Sequence, residues 1–217
     1  MKKVLAAALI CAASSFAAWD YFPVIEHGKG EAKVGISQSR QGNQGGGGSE
    51  FEIRYSPLAN LELMSSFRNG FGGDYILGAR YQIIPVLSAG VDVGFPIPGT
   101  AWSFTPNVQF SMPLTEALEF GSNVEVTINT EDSNKNTKDM ELSAGVEFDL
   151  AVGKSTIWVS CDLNMVLSDS KTNPEIAPSL GYIATVGNLA LGTNIGLEFV
   201  EDAKLNTIIG VDFSIKF

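Results

Sequence analysis

From Gly210 to Phe217, apolar and polar residues alternate without a break. Val211, Phe213, Ile215 and Phe217 share one side, and Asp212, Ser214 and Lys216 share the other. Leu205, Thr207 and Ile209 continue the first register upstream, so the ladder runs for about thirteen residues. An average soluble strand has about five or six residues, whereas a strand crossing an outer membrane needs roughly nine to eleven. A second long ladder sets Met140, Leu142, Ala144, Val146, Phe148 and Leu150 against Glu141, Ser143, Gly145, Glu147 and Asp149. Alternation over such lengths, broken by turn residues, predicts strands with one face in lipid and the other facing a polar interior.

Read from the N-terminus, the pattern predicts twelve strands. They lie near Glu31–Gln38, Ser49–Ser56, Leu61–Arg68, Asp74–Ile83, Val86–Gly94, Trp102–Ser111, Ala117–Thr130, Asp139–Val152, Ser155–Leu167, Glu175–Val186, Leu189–Phe199 and Lys204–Phe217. Because the first three are short, ten strands is the alternative. Every second connection is tight: Pro57–Asn60, Ile84-Pro85, Met112–Glu116, Gly153-Lys154 and Gly187-Asn188. The others are mostly longer and rich in glycine or charge, as in Ser39–Gly48, Asn69–Gly73, Pro96–Ala101 and Glu131–Lys138. Short turns at one rim and long loops at the other are expected of an all-β, transmembrane, antiparallel up-and-down β-barrel. An even strand number puts both termini in the periplasm. The expected lipid face carries Leu142, Val146, Phe148, Ile157, Leu163 and Leu197. Tyr55, Tyr75, Tyr81, Trp102, Phe104, Phe110, Phe120 and Tyr182 fall near strand ends in the same outward register, where interfacial girdles belong. The inward register is small and polar, with many glycines.

The two ends add targeting expectations. Met1-Lys2-Lys3, an apolar stretch from Val4 to Ala13, and Ser15-Phe16-Ala17 predict a signal peptide over residues 1–17. A periplasmic leader over 18–30 and a barrel over 31–217 follow, in the outer membrane of a Gram-negative bacterium. Cys11 is preceded by Ile10, where a lipobox needs a small residue. The C-terminal strand resembles the sorting signal of bacterial outer-membrane barrels. That resemblance assigns Gly210, Phe213, Ile215 and Phe217 to membrane assembly and implies the barrel-assembly machinery, with outer-membrane lipid and lipopolysaccharide, as partners.

Composition narrows the functions. The chain has 24 acidic against 14 basic side chains, a formal net charge of −10, and losing Lys2 and Lys3 would make it more acidic. Such a protein lacks the electrostatic footprint for nucleic acid. Cys161 is the one cysteine left after cleavage, so no intramolecular disulfide forms. The single histidine, His27, precedes the first strand, where a general base would not reach a nucleophile on the barrel. One histidine and one cysteine in a buried register do not make a usual zinc site. No catalytic residue and no cofactor are expected. Gly42–Gly48 lacks the Gly-Lys-Ser/Thr of a phosphate loop and reads as a flexible loop. Asp132–Asn136 matches the first ligand positions of a calcium loop, but Thr137 and Ser143 stand where glycine and an acid are needed. It reads as a solvated extracellular loop, with weak divalent binding as the alternative.

The inward carboxylates carry the functional expectation. Glu52, Glu62, Asp92, Glu125, Glu141, Glu147, Asp149, Asp162, Glu198 and Asp212 outnumber Lys33, Arg54, Arg68, Arg80 and Lys216 by about two to one. Rings of Asp and Glu favour cations in pores. Pore-lining roles fall on Asp92, Glu125, Glu141, Glu147, Asp162 and Asp212, with Lys33, Arg54 and Arg80 making one wall positive. Alternatively the acids pair with these bases and plug the lumen. Finally, Gly70–Gln82, containing Gly72-Gly73-Asp74 and Leu77-Gly78-Ala79-Arg80-Tyr81, followed by Val91–Pro96, resembles the outer-membrane transporter family named after the meta-pathway of phenol degradation. The chain departs from that pattern in the spacing of its glycines and by an insertion at Phe95–Gly99. The resemblance implies a passive uptake channel for small solutes. The competing expectation is a non-conducting structural or adhesin-like barrel that presents extracellular loops.

Overall fold

Twelve antiparallel strands pair each with its sequence neighbour, and the last returns to the first to close the barrel. They are β1 (Gly30–Gln41), β2 (Gln44–Leu58), β3 (Leu61–Arg68), β4 (Asp74–Ile84), β5 (Leu87–Pro96) and β6 (Ser103–Pro113), then β7 (Leu118–Asn129), β8 (Met140–Val152), β9 (Ser155–Val166), β10 (Glu175–Val186), β11 (Leu189–Val200) and β12 (Lys204–Lys216). This computed structural model describes residues 25–41, 44–68, 74–97, 102–130, 140–167, 174–200 and 204–217. The expected signal peptide, most of the leader and the Asp132–Asn136 segment lie outside the described residues.

Closure is made along the whole of β1. Its partners on β12 run from Glu31↔Lys216 through Gly35↔Asp212 to Gln41↔Asn206. The seam ends in a reciprocal pair: the Gly30 amide donates to the Phe217 carbonyl at 2.7 Å, and the Phe217 amide donates back at 2.9 Å. The Phe217 ring covers Gly30 so closely that any side chain at that position would collide with it. Both ends of the barrel therefore meet at one rim, which the tight turns share. Two of those turns begin on glycines with positive φ, Gly153 at 65° and Gly187 at 62°. A positive φ at the first central residue of a two-residue turn matches the twist of a hairpin and favours glycine there.

The strand count and most boundaries follow the alternation pattern, and ten strands is excluded. One segment differs. Ser39–Gly48 reads as a loop, yet β1 continues to Gln41 and β2 starts at Gln44, with Ser39↔Gly46 and Arg40↔Gly45 in register. Local composition favours a loop there, but the hairpin ladder of flanking strands already in register supplies partners for the glycine backbone.

The radial order of the fold is inverted relative to a soluble protein. Among the described residues, buried hydrophobic side chains are Ile183 and Ala190 alone, whereas Glu52, Arg54, Glu62, Arg80, Glu147 and Asp149 are buried. Val146, Phe148, Ile157, Val159, Phe213 and Ile215 are exposed on the outer surface. That surface is the lipid-facing band, and the polar groups inside are hidden from lipid. Cys161, expected in a buried register, is exposed on this outer face, because its parity on β9 is that of Ile157 and Leu163. Aromatic rings form a girdle at each rim. At the loop rim, Phe67, Tyr75, Phe95 and Trp102 make a ladder with centroid spacings of 4.6, 6.2 and 4.7 Å. At the turn rim, Phe110, Phe120 and Phe148 follow at 6.2 and 5.2 Å.

Val146 sits mid-strand on the outer face, and Gly145 beside it is buried between Asn123 and Asp162. Val146→Arg should lower unfolding stability in lipid by about 2–4 kcal/mol, the cost of a cation near the bilayer midplane. Denaturant titration in vesicles measures this. Spin labels should report lipid contact at 146 and not at 145, and the reverse would mean a register slipped by one residue.

Candidate functional site

Strand parity decides what reaches the lumen, and the strands contribute unequally. On β2–β4 the inward register carries long charged side chains that pair among themselves, with small residues such as Ser56 and Ser66 between them. Arg54 bonds Glu52 on its own strand. Arg80 reaches Glu62 at 3.1 Å, and Arg68 reaches Glu50 at 3.3 Å. Glu62 is only 2% exposed, and its second oxygen accepts the Ile25 amide at 3.0 Å. Thus the last leader residues lie against the turn-rim mouth, a contact that periodicity could not reveal. Gly28 continues it, donating its amide to Ser56 at 2.8 Å. His27 in this segment is exposed. On β5, Asp92 accepts a hydrogen bond from Asn107 at 3.0 Å.

The facing wall is different. The inward residues of β7–β9 include Glu119, Glu125, Glu141, Glu147, Asp149 and Asp162, and no lysine or arginine. Glu147 and Asp149 are buried, Glu125 and Asp162 half-buried. Glu119 is bonded by Ser111. Glu141 is displaced from the rest: it stands one residue inside β8 at the loop rim, opposite Thr127 and Val166, and is exposed. Glu141 thus shares the inward register of Glu147 but stands at the mouth of the lumen.

The third sector, β10–β1, is lined by small groups. Gly181, Gly192, Gly196, Gly210 and Gly35 all face inward with Ser179 and Ser37. Here the lumen stays open, as a cavity of about 370 Å³ lined by Lys33, Glu50, Arg68, Glu147, Trp158, Ile183, Asn194 and Asp212 among others. Asp212 is half-buried between Gly35 and Gly192, and Lys33 lies across from Ser214 and Glu52. At the rims, Ser214 donates to Glu31 at 3.1 Å and Asn206 donates to Glu198 at 2.8 Å.

Lys33, Arg54 and Arg80 do sit together on β1–β4. The positive wall expected from them is not present, because acids on the same strands, Glu52 and Glu62, bond Arg54 and Arg80. The inward charged residues of β7–β9 are all acids. Of the assembly residues, Phe213, Ile215 and Phe217 point outward and Gly210 inward. Sequence reasoning misses Trp158 and Ile183, both inside the lumen. The signal is there: Trp158 shares its parity with Ser160 and Asp162, so it faces inward with them.

Residues 34–162, more than half of the chain, match the family described as "Putative MetA-pathway of phenol degradation", and the chain belongs to that family. No curated protein sequence matches it. Solved structures share the fold at low identity. The COG4313 outer membrane channel from Pseudomonas putida F1 superposes with a TM-score of 0.67 at 10% identity, covering 94% of this chain and 98% of that one. The NanC porin gives 0.62 at 12% identity, covering 84% and 98%. The CymD monoaromatic hydrocarbon channel gives 0.55 at 8% identity, covering 89% of each. The fold is that of an outer-membrane barrel.

Removing one member of a buried ion pair leaves the other charge desolvated, at a cost of about 3–5 kcal/mol, whereas replacing both with apolar groups is often neutral. Glu62→Ala should therefore destabilise the barrel by that order in denaturant unfolding. The double replacement Glu62→Met with Arg80→Met should recover most of the loss.

Proposed function

We propose that the protein is a passive outer-membrane channel for small solutes with a preference for cations. The observation that carries this reading is the acidic inner wall of β7–β9, which has no inward lysine or arginine and borders the open part of the lumen. Carboxylates in a confined, low-dielectric passage act more strongly than in bulk water and raise the local cation concentration. On β2–β4, ion pairs keep the arginine field short-ranged. Family membership and the channels and porins among similar folds support passage of small organic solutes.

A second reading has its own observation. Arg54, Arg80, Glu52 and Glu62 are buried and fill the β2–β4 side of the lumen, as expected of a closed barrel whose loops bind or anchor something outside.

Planar-bilayer recording of the refolded protein separates the two. Under a salt gradient the reversal potential should show cation preference, and that preference should weaken as ionic strength rises and screening shortens. Glu147→Gln or Asp162→Asn should lower the cation-to-anion permeability ratio. Glu141→Gln, at the exposed rim, should lower it less. Absence of conductance from a folded barrel would remove the channel reading and favour the closed one, and anion preference would remove the cation assignment.

A further inference from the structure

Trp158 is out of place in its wall. Its inward neighbours on β9 are Thr156, Ser160 and Asp162, and its cross-strand partners are Asp149 on β8 and Gly181 on β10. The indole lies directly over Gly181, where a Cβ would overlap the ring atoms Cε2, Cζ2 and Nε1. The ring is thus seated on bare backbone, and it lines the 370 Å³ cavity together with Glu147 and Ile183. Ile183 is 2% exposed and gives the cavity an apolar floor next to the ring.

We propose that Trp158, with Glu147 and the apolar floor of Ile183, forms a binding subsite for a small organic cation, of the substituted-ammonium class, within the lumen. The inference rests on the channel reading above and adds a solute class to it. Three features converge. An indole face attracts a cation through its quadrupole, most strongly among the aromatic side chains and more so when water is excluded. The wall that holds the ring supplies carboxylates, which compensate a cation and would be desolvated by a neutral hydrocarbon. The cavity is of the size that takes a small ligand, about 300–1,000 Å³. Lys33 and Arg68 also line the cavity, but on the β1–β3 side, where Glu50 pairs with Arg68 at 3.3 Å and Lys33 stands across from Glu52 and Ser214. The charged residues lining the cavity are three acids, Glu50, Glu147 and Asp212, and two bases, Lys33 and Arg68, an acidic excess of one that suits a monovalent organic cation seated over the ring.

The full-length protein, refolded in detergent and checked for folding by heat-modifiable gel migration, is titrated with choline and with its neutral isostere 3,3-dimethylbutanol, using calorimetry. Saturable binding of choline without binding of the isostere is expected. Trp158→Ala should weaken choline binding by roughly tenfold, in keeping with a desolvated cation–π contact. Trp158→Phe should retain part of the affinity. Gly181→Ala, which pushes the ring off its seat without removing it, should weaken binding in a barrel that still folds. Equal binding of choline and the isostere, or of choline and the zwitterion glycine betaine, would overturn the cation assignment. So would undiminished affinity in folded Trp158→Ala. Because binding is read without current, the two readings fail separately. Cation-selective conductance with no choline binding removes the subsite alone, and choline binding with no conductance removes the channel alone.

Discussion

Everything in this barrel follows from the requirement that no backbone amide or carbonyl face lipid without a partner. An unpaired polar group in hydrocarbon costs several kcal/mol, and an open sheet would expose a row of them at each edge. The β1–β12 seam meets that requirement. It runs in unbroken register from Glu31↔Lys216 to Gln41↔Asn206 and is sealed by the two Gly30–Phe217 hydrogen bonds. The C-terminal residues serve two purposes at once: their backbone closes the cylinder, and Phe213, Ile215 and Phe217 extend the outer apolar band. β1 and β2 run beyond their apolar residues as a continuous hairpin, paired from Gly30↔Tyr55 to Gln41↔Gln44.

Once the cylinder closes, inward side chains share a narrow space, and the chain divides that space by sector. Long charged groups on β2–β4 bond within their own wall, as in Arg54–Glu52 and Arg80–Glu62. Glycine and serine on β10–β1 leave the volume that remains open. Placing bulky pairs beside a sector of small residues lets ionic contacts hold one wall rigid without closing the passage next to it. A lumen lined evenly with residues of intermediate size would give neither a fixed wall nor a cavity.

The fold is legible in the sequence because period-two alternation is a direct consequence of a two-sided environment, and strands such as β8 carry it over many residues. Twelve strands, the two rims, the lipid face around Val146 and the aromatic girdles all come from parity and turn chemistry. Parity also places Asp92, Glu125, Glu147, Asp162 and Asp212 inside. It cannot say which inward groups meet, because pairing depends on register between strands and on height along the barrel. Parity alone therefore assigns Arg54 and Arg80 to a positive wall, although Glu52 and Glu62 are their immediate neighbours. Glu141 is grouped with Glu147 for a related reason, since periodicity gives the face of a residue and not its depth. The glycine run of β2 misleads because local composition signals a loop while the ladder of an established hairpin overrides it.

Trp158 shows a further limit of reasoning from residue class. Aromatics in an outer-membrane strand are expected at the interfaces, and Tyr55, Tyr182 and the Phe110–Phe120–Phe148 cluster obey that expectation. Trp158 obeys parity instead. An inward indole needs room that a narrow barrel rarely has, and Gly181 supplies it on the adjacent strand. The glycine is thus more than a small residue tolerated in a crowded interior; it is the position that permits a large ring on this wall. The ring lies on the Gly181 backbone, with Asp149 as its cross-strand partner on the other side. Its position follows from the registers of β9 with both β8 and β10, the same pairing that holds the barrel together.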